Sequence, residues 1–326
     1  MLLSQPPLLL DGVLVVDLTR YLPGAFASRE LLRLGARVVR VEAPDGDPLR
    51  ATAPGWHAWL AQGTESVTCE LPADAAFVRA LCARADVVLE GFRPGVATRL
   101  GVDPHELPAH VVTCSITGFG ADGPHAGRAG HDLNYLGWAG VLEDGPLDHP
   151  AVQVADLAAG ALGAVTQVLA ALVRRGRTGE GARLVVSMTH RAHDLVAHRV
   201  GGDPRERLLT GGLACYRAYA TADDRHLTVA ALEPKFFARL CELVGRPDLV
   251  SRQYDADQGA LASELEALFA GATLAEWLER LGDEDTCVGP VATRAEAHAA
   301  LGPWPDEPPA PALGAQTEGW RLELGG

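Results

Sequence analysis

The sequence predicts an α/β protein, with a large domain built on a parallel sheet and a smaller α+β domain after it. Three observations carry that expectation. Short apolar runs such as Leu14-Val15-Val16 and Val38-Val39 alternate with helical stretches, the pattern of strands buried on both faces of a parallel sheet. The first two runs bracket one helical stretch and so form a βαβ unit. Aromatic residues make up only 6% while Ala and Gly are prominent, which suits helices packed closely through small side chains.

Each element can be justified in turn. Residues 14–18 are a strand closed by Thr19 and then Pro23-Gly24; 25–34 show helical periodicity and stop at Gly35; 36–42 are the second strand. The turn between them lacks G-x-G-x-x-G, so it offers no glycine-rich loop for the pyrophosphate of a nicotinamide dinucleotide. Residues 44–63, rich in Pro, Gly and Trp, read as a surface excursion. A helix over 75–85, a strand over 86–90 and a strand over 111–116 follow, then a long Ala/Leu/Val helix over 157–174 and a strand over 183–187. Composition changes near Thr189, with His, Arg and Asp over 190–207, and places a domain boundary there: 1–188 large domain, 189–302 linker and small domain. The second part holds paired strands (215–220, 226–231) and helices near 234–244, 260–269 and 274–281. The proline-rich connector 303–311 leads into a tail, and 303–326 are expected to return to the large domain.

A net charge of −14 argues against a nucleic-acid surface, which needs clustered Lys and Arg. An anionic ligand must therefore be held by local donors rather than by the global field. Six cysteines with no C-x-x-C pair fit a reduced, cytoplasmic protein. The N-terminal apolar run has no basic region before it, and no uninterrupted apolar segment reads as a membrane span, so a soluble protein without a membrane partner is expected. The eleven histidines show no H-E-x-x-H or similar spacing, and no metal site is expected.

Residues that could carry chemistry cluster between Ala129 and Gly160. His131 lies in a glycine-flanked loop, where a histidine also serves as a cap or packing residue. Asp156 precedes the long helix and could equally be its N-cap. The residues after it, Ala158-Ala159-Gly160-Ala161, are small enough to let a ligand approach, and free N–H groups at a helix start can stabilise an oxyanion. Glu233 stands between a strand and a helix whose first residue is Pro234, so it is either a cap or a proton carrier. Arg93, in Gly91-Phe92-Arg93-Pro94-Gly95 at the carboxyl end of a strand, is either a solvated turn residue or a phosphate or adenine contact.

The segments VLVVDLTRYLPG, ADVVLEGFRPGVATRLGVD, SITGFGADGP, GHDLNY, VQVADLAAGALGAV, ALEPKFF and DTCVGPV, in that order and spacing, resemble the class III CoA-transferase (CaiB–BaiF) superfamily over nearly the whole chain. GHDLNY, ALEPKFF and DTCVGPV are most similar to its α-methylacyl-CoA racemase branch. The resemblance implies a Rossmann-like large domain, a small domain and an interlocked homodimer. It also implies an acyl-CoA thioester as substrate, with coenzyme A as part of that substrate and no covalently bound cofactor. Asp156 and His131 match the two proton carriers of racemases, and Glu233 the glutamate paired with the histidine, supplied by the partner chain. In transferases the position of Asp156 is a nucleophile that forms an acyl anhydride.

Two stretches depart from the family pattern. Ala43 stands where a basic residue is usual, and Ala61 to Ser66 carries no positive charge. Arg93, Arg40 and Tyr135 remain as the residues expected to hold the CoA half. The expected reaction is α-epimerisation of a 2-methylacyl-CoA. The alternatives are CoA transfer between carboxylic acids through Asp156, and a non-catalytic family member with weakened CoA binding.

Overall fold

The computed structural model describes residues 8–143, 151–202, 204–205, 207–302 and 307–325. Residues 303–306 of the proline-rich connector, and residues 1–7 of the N-terminal stretch, lie outside them. Two compact units emerge, Met1–His198 with Pro305–Gly326, and Arg199–Trp304.

The first unit runs β1 (Leu14–Asp17), α1 (Tyr21–Arg33), β2 (Arg37–Glu42), α2 (Leu49–Thr52), α3 (Pro54–Leu60), β3 (Glu65–Thr68), α4 (Ala75–Arg84), β4 (Val87–Glu90), α5 (Val96–Arg99) and β5 (Val112–Thr117). It continues with α6 (Asp132–Trp138), a π-helical segment Val154–Leu162 that leads into α7 (Gly163–Thr178), β6 (Arg183–Ser187) and α8 (Met188–Val196). Its six strands pair in parallel in the order β3-β2-β1-β4-β5-β6, with Val15 opposite Val38 on one side and Val87 on the other. This is the doubly wound arrangement, with its switch point between β1 and β4. Val15, Val16, Val38, Val39, Val87 and Val88 are all buried, because helices cover both faces, so the strands read as apolar runs rather than alternations. α1 and α7 pack on one face through Ala27, Leu31, Val165 and Val168. α4 packs on the other through Val78, Leu81 and Cys82.

Two local expectations change. The excursion over 44–63 contains α2 and α3, whose Leu49 and Leu60 bury against Ala25 of α1. The long helix starts before Asp156, not after it: Gln153 is the N-cap and the first turns are π-helical. Small side chains permit this wide winding, and Gly160 is required within it, since a Cβ there would sit 2.7 Å from Met188 Cγ of α8. The expectation that no segment could span a membrane also needs amending by length and composition. The helical stretch Val154–Thr178 is long and apolar enough, and half of its apolar window is buried inside the protein.

The second unit is built on β7 (Tyr216–Ala220), β8 (His226–Ala230), α9 (Pro234–Leu243), α10 (Gln258–Phe269), α11 (Leu274–Leu281), β9 (Val288–Pro290) and α12 (Arg294–Leu301). Its antiparallel sheet has the order β7-β8-β9. Burial alternates along β8, so one face packs on Phe237, Leu240, Phe269 and Trp277.

The chain then rejoins the first unit. Ser66 donates its N–H to Gln316 Oε1 (2.8 Å), Gln316 returns its own N–H to the Ser66 carbonyl (3.0 Å), and Thr68 donates its N–H to Thr317 Oγ1 (2.9 Å). α13 (Thr317–Glu323) follows, with Trp320 Nε1 donating to Glu65 Oε2 at 2.8 Å. The outer edge of β3 is thereby closed to pairing with another strand.

Candidate active site

A cavity of about 880 Å³ opens outside the carboxyl ends of β1, β4 and β5, where open parallel sheets present their loops. Its walls are the β1–α1 turn with the first turn of α1 (19–24), the turn after β4 (91–94), residues 116–118 at the end of β5, the segment 126–135, and Gln153, Asp156 and Met188.

Asp156 lies within the first turn of the π-helical segment and is only 9% exposed. Its N–H donates to Asp132 Oδ1 at 2.9 Å, and among the described residues no group hydrogen-bonds its own carboxylate oxygens. Burial, and then the neighbouring negative charge of Asp132, push the Asp156 carboxyl up to about 7. A carboxyl poised there is half protonated near neutrality and serves equally as proton donor and acceptor. The oxyanion donors expected at this helix start are engaged: the Asp156 N–H binds Asp132, and the Leu157 N–H binds the Gln153 carbonyl at 2.8 Å.

His131 is the exposed N-cap residue of α6. Its N–H donates to Asn134 Oδ1 (3.1 Å) and its carbonyl accepts the Asn134 N–H (2.8 Å), a reciprocal backbone lock on the start of the helix. The imidazole faces the ring of Tyr21 edge-on, with centroids 6.5 Å apart. Tyr135, one turn along α6, is buried, and its phenol donates to the Gly130 carbonyl. Burial, followed by the charge of Asp156, raises the phenol to about 12, so it stays protonated. Gly130 allows this contact, because a Cβ there would lie 2.7 Å from the Tyr135 ring. Tyr135 is thus a wall of the cavity with its hydroxyl already committed.

Arg93 lines the same cavity from the turn after β4. That turn is fixed by buried Glu90, whose Oε2 accepts the Phe92 N–H at 2.7 Å. Arg20 and Arg128 line the cavity as well. Arg20 and Arg93 both line the cavity and make no ion pair among the described residues, so their charges are not spent on a protein carboxylate.

The cavity therefore gathers His131, Asp156, Tyr135 and Arg93, but not Arg40. Arg40 is 2% exposed, bonds Asp47 Oδ2 at 3.0 Å and lies 3.5 Å from Asp17 Oδ2. Its position on β2 points it beneath the β1–α1 turn, and its charge is balanced there. Arg50 is likewise spent, on Glu42 at 2.7 Å. Glu233 belongs to the second unit, where it is exposed at the start of α9 and its side chain makes no capping bond.

Sequence reasoning missed Asp132, Arg20, Tyr21 and Arg128. Asp132 directly follows His131, but an acid in the first turn of a helix reads as a partner of the helix dipole. Arg20 had a usable signal, a cation in the turn after the first strand of a parallel sheet.

The profile of CoA-transferase family III matches residues 10–301. An alpha-methylacyl-CoA racemase of Mus musculus is 33% identical over 310 residues, covering 89% of this chain and 79% of its own length. A probable fatty acyl-CoA transferase of Mycobacterium tuberculosis is 34% identical over 321 residues, covering 85% of this chain and 81% of its own. Among solved structures, a CAIB/BAIF family protein from Brucella suis is 26% identical with a TM-score of 0.81, covering 98% of this chain and 100% of its own. With the doubly wound sheet, the cavity at its switch point and a match over most of its length, the chain belongs to CoA-transferase family III.

Proposed function

We propose that this enzyme epimerises the α-carbon of a 2-methylacyl-CoA thioester by proton transfer through Asp156 and His131. The observation that supports this reading most is Asp156 itself, a buried carboxyl held near neutrality in the same cavity as His131. The thioester carbonyl acidifies the α-hydrogen. One side chain removes it to give a planar enolate, and the other returns a proton to the opposite face, which inverts the centre. In this reading the partner subunit's Glu233 pairs with His131 in a cytoplasmic homodimer. Arg93, with Arg20, holds the phosphates of the CoA half.

Incubation with a 2-methylacyl-CoA in heavy water tests the proposal. Deuterium enters the α-position with the intact enzyme, and Asp156→Asn and His131→Ala each suppress it. The absence of exchange across several acyl chains with Asp156 intact overturns it.

A second reading is supported by the transferase among the similar proteins. In it, Asp156 attacks the thioester as a carboxylate and releases the CoA thiolate, forming an aspartyl-acyl anhydride. The thiolate then attacks the aspartyl carbonyl of the anhydride, freeing the first acid and leaving an aspartyl-CoA thioester. The carboxylate of the incoming acid attacks that thioester to form a second anhydride, and the released CoA thiolate takes the new acyl group and regenerates Asp156. Hydroxylamine trapping of that anhydride, with transfer surviving in His131→Ala, favours this reading over epimerisation.

A further inference from the structure

Tyr21 opens α1 with φ +65°, in the left-handed region that bulky side chains avoid. Among the described non-glycine residues with positive φ, it is the one that lines the cavity. The strain is held from beneath by charge. The Tyr21 N–H donates to Asp47 Oδ2 at 3.2 Å, and Asp47 is bound by Arg40 at 3.0 Å. Arg40 reaches toward Asp17, whose Oδ1 takes both the N–H (2.8 Å) and the hydroxyl (2.6 Å) of Thr19. Buried ionic groups thus pin the turn on both sides of Arg20.

What this arrangement delivers is an aromatic ring, 48% exposed, turned toward His131 with the two ring planes at 88°. Glycine would follow the same backbone without strain. A costly conformation kept at a cavity wall, over-determined by its surroundings, points to a role for the side chain it presents.

We propose that Tyr21 is a positioning residue for His131. Its ring meets the imidazole edge-to-face and fixes its orientation toward the substrate, while the Arg40–Asp47 pair holds Tyr21 in place. The proposal rests on the reading of His131 as a proton carrier, and its test separates the two.

Tyr21→Phe keeps the ring, Tyr21→Gly removes it and relieves the backbone, and Tyr21→Asn, which also tolerates φ above zero, serves if the glycine variant does not fold. Three readouts are taken: the imidazole Cε1–H resonance of His131, assigned with His131→Asn; the α-exchange rate; and the melting temperature. Tyr21→Phe is expected to match the native protein in all three. Tyr21→Gly is expected to keep its melting temperature, to move the His131 resonance and to lower kcat roughly tenfold while KM changes by less than about twofold. The proposal is overturned if the resonance and kcat stay native in the glycine variant. It is equally overturned if melting temperature and kcat fall together while the resonance does not move, which marks a packing role. If the native enzyme shows no exchange, the epimerase reading fails, and the resonance still decides whether Tyr21 orients His131.

Discussion

Replacing Asp156 by Asn is expected to stabilise the protein above neutral pH. In the fold the carboxyl is 9% exposed beside Asp132, and its ionisation is raised from an ordinary 3.8 to about 7. The unfolded chain releases that proton near 4, so between pH 4 and 7 the folded form binds the extra proton. The stability linked to the protonated group is therefore fully present below pH 4 and is lost as pH rises through about 7. The distance between the two values corresponds to about 4 kcal/mol at pH 8. Asn cannot ionise and avoids that loss. For a unit of this size about 4 kcal/mol moves the melting temperature by roughly 10 °C. Melting curves of native and Asp156→Asn protein at pH 4, 6 and 8 give the answer. They should nearly coincide at pH 4 and separate progressively to pH 8, with the variant higher. A gap that is constant with pH, or a variant less stable at pH 8, would refute the assignment of a costly buried charge to Asp156.

Three further outcomes are expected. Asp132→Asn keeps an oxygen to accept the Asp156 N–H but removes the like charge, so the acid limb of the pH–rate profile should move to lower pH; an unmoved limb contradicts the coupling. Arg93→Ala should raise KM for the acyl-CoA by roughly 10- to 100-fold, the worth of one charged hydrogen bond, with kcat little changed in steady-state kinetics. Arg40→Ala leaves Asp17 and Asp47 buried without their counter-charge. It should cost about 3–5 kcal/mol in denaturant unfolding, a loss of stability larger than any direct effect on substrate affinity.

Much of the sheet was legible because its code is local: apolar runs for strands buried on both faces, Gly35 as a helix stop, and Ser187 closing the sixth strand. His131 and Asp156 were also findable, though each carried an equal structural reading until the two met in one cavity. What stayed hidden depends on non-local geometry. Arg40 reads as a cation at a strand end, and only the fold shows two aspartates enclosing it. Asp132 reads as a dipole partner until the chain returns 24 residues later to place the Asp156 N–H on its carboxylate. The π-helical winding has no sequence period of its own. It arises where α8 and α1 press on a run of small residues, which local propensity cannot foresee.

The tail laid along β3 has a consequence for biosynthesis. The segment 307–325 that seals the edge of the first sheet is translated after the whole second unit, Arg199–Trp304. At typical elongation rates the ribosome needs on the order of ten seconds to make that unit. Throughout that interval the nascent first unit carries Ser66 and Thr68 with backbone groups still waiting for Gln316 and Thr317. The sheet is thus exposed longest at its outer strand, and a chaperone acting on the nascent chain would find its target there.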